Sequence, residues 1–278
     1  MKSPLSYMGG KFYMRKEIVS LLRYDVDLYI EPFFGSGQVF FYKKPHKIEI
    51  INDIDDDLIN FYRVWINNEK ELVDRLEQLP YSRSLYKEYL KDWEQGYKGE
   101  DDIERAIRYF YILRLSFSGC FSQSFSLAYL KNKSVQYQNS LSLIKLMHSR
   151  IKNAQVECKD YKYLLLSIPV DLKAMIYCDP PYYKKEFYYK ESTFDESEHK
   201  KLAEILNSLQ NKYIILSYYY FDGIEDLYIR DKWFYLKFKK AKHSVGITKN
   251  SDDKKRNYGM ELLLLNYDPN YIENKLFD

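Results

Sequence analysis

The chain has 278 residues, of which 46% are hydrophobic and 30% charged, with a formal net charge of +3. That length suits one large domain, or one domain with an insertion, and the composition excludes a disordered chain. No apolar run approaches the ~18–20 residues of a membrane span, and the start Met1-Lys2-Ser3-Pro4-Leu5 lacks the apolar core of a secretion signal. Cys120, Cys158 and Cys178 form no CxxC pair and suit a reducing cytoplasm; with four scattered histidines they give no metal-ligand spacing, so no metal is expected.

Taken in order, Ser6-Tyr7-Met8-Gly9-Gly10-Lys11 reads as a turn into an amphipathic helix that buries Ile18, Leu21 and Leu22. Lys11, in the first turn of that helix, opposes the macrodipole and calls for an anionic partner. Leu28-Tyr29-Ile30 is a short strand. Glu31-Pro32-Phe33-Phe34-Gly35-Ser36-Gly37 follows, with glycines that permit positive φ and close approach of a ligand, and Val39-Phe40-Phe41 begins a helix. The next strand, residues 47–51, ends at Asn52-Asp53. Dinucleotide folds place a ribose-binding acid there, about 20 residues beyond their glycines, so Asp53 is assigned to a ribose. Asp55, Asp56 and Asp57 precede a helix (Leu58, Ile59, Tyr62, Trp65, Ile66) and complement its N-terminus. The glycine loop is neither a GxGxxG fingerprint nor a Walker loop, which favours a nucleoside ligand without a pyrophosphate. S-adenosylmethionine fits that description.

Residues 67–150 change character. Helical patterns at 71–79, 84–93, 103–115 and 141–151 are broken by Pro80-Tyr81-Ser82 and by residues 95–99. Arg114 leads into a hydroxyl-rich stretch containing Ser116, Ser118 and Ser122. This segment reads as a helical insertion between the second and third strands, either a DNA-recognition lobe or a cap over the active site. Strand 154–158 then ends at Lys159-Asp160-Tyr161, an acid and a ring placed to meet the cofactor's adenine. The apolar run 174–178 is a buried parallel strand, and Asp179-Pro180-Pro181-Tyr182 leaves it. Two prolines cannot continue a sheet, so one carboxylate, carbonyl oxygens and one ring are held together, a set suited to a flat ring bearing an amino group. Residues 183–190 read as a mobile tyrosine-lysine segment. Asp195-Glu196-Ser197-Glu198 is a capping box opening a helix with Leu202, Ile205, Leu206 and Leu209 on one face, and His199 reads as a surface or DNA-side residue rather than a catalytic base. Residues 213–217 and 261–266 are the remaining strands of a doubly wound α/β core. The stretch 231–256, with Lys239 and Lys240, is lysine-rich, and thirty tyrosines are interleaved with such cations, a mixture that suits bases and phosphates or equally reflects an AT-rich genome.

Together these residues resemble the Dam-like (D12) class of DNA adenine-N6 methyltransferases. Ser6-Tyr7-Met8-Gly9-Gly10-Lys11, Glu31-Pro32-Phe33-Phe34-Gly35-Ser36-Gly37, Ile51-Asn52-Asp53 and Asp179-Pro180-Pro181-Tyr182 are similar to the family's motifs, in the same order, and Glu261 matches near the last strand. The resemblance implies a Rossmann-like core of residues 1–66 and 151–278, with 67–150 as target-recognition domain. It implies Asp179, Pro180, Pro181 and Tyr182 as catalytic residues. It implies Tyr7, Gly9, Gly10, Lys11, Glu31, Phe33, Gly35, Gly37, Asp53, Asp160, Tyr161 and Asp179 as cofactor contacts. Double-stranded DNA is the implied partner, read by Arg114, Ser116, Ser118, Ser122, Lys239 and Lys240. A cytoplasmic monomer of a bacterial, archaeal or phage-infected cell is expected, with a cognate restriction endonuclease or a dimer on DNA left open. Members that read GATC carry an Asn-Gly pair and a second arginine where this chain has Ser118-Gly119 and Ser122, so the target sequence stays open. RNA adenine or protein amide methylation, or non-catalytic DNA binding, are the alternatives.

Overall fold

The computed structural model describes residues 2–5, 9–121, 124–183, 194–241 and 258–270; the side chains of 118, 239–241 and 258–259 are outside the description. The expectations for Tyr7, for Ser122, for 184–190 and for the side chains of Ser118, Lys239 and Lys240 therefore lie outside the described residues. The chain forms two compact units. The first comprises residues 1–19 and 33–161, and the second residues 20–32 and 162–278.

In the first unit, α1 (Arg15–Leu21) begins four residues after Lys11, so Lys11 lies in a turn ahead of the helix rather than in its first turn. Strands β2 (Ile48–Asn52) and β3 (Gln155–Glu157) pair in parallel. Between them in the chain come α2 (Asp56–Asn67), α3 (Glu69–Glu77), α4 (Arg83–Glu94), α5 (Asp102–Leu115) and α6 (Lys133–Ile151). Each of four helices starts at a side-chain cap that accepts from an otherwise orphaned N–H: Asp55 for α2, Ser82 for α4, Asp101 for α5 and Asn132 for α6. Rings fill the space between helices. Phe61 of α2 stacks on Phe110 of α5 at 5.4 Å, and Trp65 donates from Nε1 to the Ile144 carbonyl of α6 at 3.1 Å. Each such buried ring contributes about 1.5–3 kcal/mol.

The helix expected from Val39 does not form. Phe41 and Lys43 donate to the carbonyls of Gly37 and Val39, both at 2.9 Å, but Pro45 cannot extend the run. Instead Lys43 is buried beside Glu49 and His46, and Arg150 reaches Glu49 from α6. Burial alone would raise the Glu49 carboxyl, but Arg150 and Lys43 hold it below its usual range.

In the second unit, β1 (Leu28–Glu31), β4 (Ala174–Cys178) and β5 (Lys212–Tyr219) are parallel neighbours in that order. Strand β7 (Tyr258–Leu265) pairs antiparallel with β5, and β6 (Phe234–Ala241) antiparallel with β7. All five residues of β4 are buried. Helices α7 (Tyr161–Leu166), α8 (Glu196–Ser208) and α9 (Ile224–Leu227) complete the described elements. The chain is a mixed α/β protein with the Rossmann-like alternation of strand and helix. Strand β6 was read from sequence only as a basic stretch; its three lysines mask the alternation of Phe234, Leu236 and Phe238.

Among the described residues no helix is long and apolar enough to cross a membrane, and no group of His, Cys, Asp or Glu could hold a metal ion.

Candidate functional site

The site residues expected from the sequence fall into two sets, one in each unit. In the first unit the chain turns sharply after Phe33. Gly35 and Gly37 adopt φ of 49° and 63°, and a Cβ built on Gly37 would stand 2.5 Å from the Phe34 ring. Only glycine fits there. The turn is pinned from three sides. Phe34 N–H donates to the Asn52 carbonyl at 2.9 Å, Gly35 N–H to Asp53 Oδ2 at 2.8 Å, and the Tyr62 hydroxyl to the Gly35 carbonyl at 2.8 Å. Asp53 also accepts from Asp55 N–H at 3.1 Å. Burial pushes the Asp53 carboxyl up, and the N–H groups of Gly35 and Asp55 partly offset this.

Asp55 caps α2, as its position before the helix suggested, and its carboxyl is pushed up to about 6 by burial and then by the neighbouring Asp53. Asp56 and Asp57 are held by Arg105, and Lys98 also pairs with Asp57 at 2.7 Å. Lys159 donates its N–H to Asn52 Oδ1 and accepts from Asn52 Nδ2, both at 2.9 Å, which sets the loop carrying Asp160 and Tyr161. The Tyr161 and Phe33 rings lie 5.1 Å apart at 37°. Gly9 and Gly10 are exposed, and Lys11 is buried with Nζ 3.4 Å from the Gly9 carbonyl.

In the second unit, Asp179 leaves β4 partly exposed, followed by buried Pro180 and by Tyr182, which is 7% exposed. The Tyr182 hydroxyl donates to Glu261 Oε1 at 3.5 Å, and the Tyr219 ring stands edge-on to it at 4.6 Å. Tyr219 and Glu261 face each other in the β5–β7 register. At the end of β1, Glu31 is buried and accepts from the Tyr29 hydroxyl. The Tyr177 hydroxyl, 3.1 Å from Ser217 Oγ, is pushed well above its usual range by burial and then by Asp179, with Glu31 and Glu261 adding to the effect. Burial, Glu261 and Asp179 likewise raise the Tyr219 hydroxyl. Three carboxylates thus act on one small region, which suits a cationic ligand.

His199 departs from the expected surface position. It is 1% exposed, with Nδ1 2.7 Å from the Tyr218 hydroxyl. Its spacing to Leu202 and Leu206 places it on the buried face of α8, a signal visible in the sequence. Glu261 enters from the sequence only as a match to the family pattern, without a stated role, and nothing in the sequence singles out Tyr219.

Of the DNA-facing expectations, Arg114 is half-buried and donates from Nη2 to the Gln136 carbonyl at 3.1 Å. Burial lowers its guanidinium. Ser116 is not available to a ligand: it is buried, bonded to the Ile112 carbonyl at 2.8 Å and the Tyr86 hydroxyl at 2.9 Å.

The sequence profile of the D12 class N6 adenine-specific DNA methyltransferases matches residues 7–245. The chain belongs to this family. Type II methyltransferase M.MjaIII of Methanocaldococcus jannaschii is 25% identical over 296 residues, covering 96% of this chain and 99% of the relative. Type II methyltransferase M1.LlaDCHI of Lactococcus lactis subsp. cremoris is 29% identical, covering 63% and 64%. The DNA adenine methylase of Haemophilus influenzae is 24% identical, covering 89% and 88%. This D12 methyltransferase is therefore an adenine-specific DNA-modifying enzyme that requires a methyl donor.

S-adenosylmethionine fits the residues present. Gly35 and Gly37 hold positive φ in the turn, and Asp53 is a half-buried acceptor beside it. In the first unit Phe33 and Tyr161 are rings of the kind an adenine packs against, and in the second unit the acids acting on Tyr177 have the charge a cation requires.

Proposed function

We propose that this protein transfers a methyl group from S-adenosylmethionine to N6 of an adenine flipped out of duplex DNA at one short site. The observation that carries this is the exit of β4, where Asp179 is followed by two prolines and by a tyrosine anchored on Glu261. An exocyclic amine is a poor nucleophile because its lone pair is delocalised into the ring. Asp179 and the Pro180 carbonyl accept the two N6–H bonds, which favours a pyramidal nitrogen with a localised lone pair. Charge-assisted bonds of this kind gain strength where water is excluded. Tyr182 offers its face to the base, with stacking worth ~1–3 kcal/mol against a flipping cost of on the order of a few kcal/mol. When bound, S-adenosylmethionine supplies an electrophilic methyl group on a sulfonium.

In this reading Asp53 accepts from the cofactor's ribose, Phe33, Asp160 and Tyr161 flank its adenine, and Gly35 and Gly37 let its backbone neighbours approach. Glu31 and Lys11, with Tyr7, Gly9 and Gly10, take its amino-acid end. Residues 67–150 form the target-recognition domain and Arg114 contacts DNA, with Ser118, Ser122, Lys239 and Lys240 completing the surface. The protein works as a cytoplasmic monomer, with or without a cognate restriction endonuclease.

The test is single-molecule mapping of modified bases in DNA from a methylation-free bacterial host expressing the protein. N6-methyladenine confined to one short motif, and absent with Asp179→Ala, is the expected result. Unmodified DNA from folded wild-type protein that binds S-adenosylmethionine would overturn the reading.

A further inference from the structure

Positive charge collects at an unexpected place in the first unit. Lys2 Nζ lies 5.5 Å from the centre of the Phe12 ring, and Arg15 Cζ lies 3.8 Å from the same centre and 4.8 Å from that of Tyr42. These rings fix the Arg15 guanidinium without neutralising it. Nη1 of Arg15 is buried and meets no hydrogen-bond acceptor among the described residues. Arg114 and Arg15 both act on Lys2, whose ammonium is lowered by burial and then by these two neighbours. Arg114 also lines a cavity of about 120 Å³ with Lys133, Ser126 and Gln136. Among the described residues no ion pair joins Lys2, Arg15, Arg114 or Lys133 to a carboxylate, whereas Arg105, Arg108 and Arg150 of the same unit each meet one.

Like charges held together without counter-charge destabilise the free protein, and a polyanion removes that cost. The exposed Tyr13 ring, packed edge-on against Phe12 at 5.3 Å, marks the open side of the group. We propose that Lys2 and Arg15 join Arg114 in a phosphate-binding surface that holds the DNA backbone, independent of base sequence. The N-terminal segment thereby acts on DNA directly, in addition to the cofactor motif that follows it. This inference rests on DNA being the substrate.

Fluorescence anisotropy over a potassium chloride series tests it, with one duplex carrying the mapped methylation site and one lacking it. Arg15→Gln and Lys2→Gln should each weaken both duplexes equally, on the order of fivefold at moderate salt. Each should flatten the slope of log K against log salt by about 0.9, the signature of one lost phosphate contact. Arg15→Lys should restore most of the slope. For Lys2→Gln, at an exposed residue, affinity for S-adenosylmethionine should stay at the wild-type value and the thermal midpoint should rise slightly as one crowded like charge is removed, so that variant decides the matter if Arg15→Gln fails to fold. An unchanged slope for Lys2→Gln, or a loss confined to one duplex, overturns the proposal. If wild-type protein binds neither duplex, it is the DNA reading that fails.

Discussion

At the exit of β2, Asp53 accepts N–H bonds from Gly35 and Asp55, at 2.8 and 3.1 Å. At the exit of β4, the two residues after Asp179 are prolines and have no N–H to give. Both are acids at the C-terminal end of a parallel strand, where an aspartate ordinarily folds back onto the backbone just beyond it. The first acid is bound into shaping a glycine loop. The second is followed by two prolines that offer it no N–H for such a turn, and under the proposed function its carboxylate faces the base. Proline here works by removing competing donors as much as by fixing φ.

The largest effect should come from the β4 exit. Asp179→Ala is expected to lower single-turnover methylation by at least ~10²–10³ while calorimetric affinity for S-adenosylmethionine stays within a few-fold. Parallel loss of both would show that the two exits are not functionally separate. Gly37→Ala strikes the other exit: a Cβ 2.5 Å from the Phe34 ring at φ 63° should cost about 1–3 kcal/mol in urea unfolding, with weakened cofactor binding. Wild-type stability there would mean that the loop relaxes without strain.

Smaller changes sharpen the contrast. Glu261→Ala removes the acceptor 3.5 Å from the Tyr182 hydroxyl and should slow the base step about tenfold, whereas Glu261→Gln keeps an acceptor and should recover most of it. Equal rates in the two variants would disconnect Glu261 from Tyr182. The smallest effect is on stability against pH. Asp55 has its carboxyl raised from 3.8 to about 6, so the protein is favoured while Asp55 is protonated and loses that contribution as pH rises through about 6. Asparagine caps a helix as well as aspartate does. Asp55→Asn should therefore be about 1–2 kcal/mol more stable than wild type at pH 8, with the difference fading below pH ~4. A pH-independent difference would show that neither burial nor Asp53 raises the Asp55 carboxyl.

The sequence by itself determined the local matters: the strand-forming runs 28–30 and 174–178, the caps at Asp55 and Asp195, the glycines of the turn, and the proline pair after Asp179. Each is set by residues within a few positions of one another, through φ preference, missing donors or side-chain capping. Only the tertiary structure decided which distant groups meet. Glu261 reaches Tyr182 across 79 positions of the chain because β7 pairs with β5, and His199 is buried because α8 turns that face to Tyr218. Strand β6 exists because β7 supplies its hydrogen bonds, against a lysine-rich composition. Arg15 and Lys2 are brought to one ring by the fold of the N-terminal segment. Spacing along a chain carries local conformation, whereas contacts between distant residues depend on packing that no short window of residues contains.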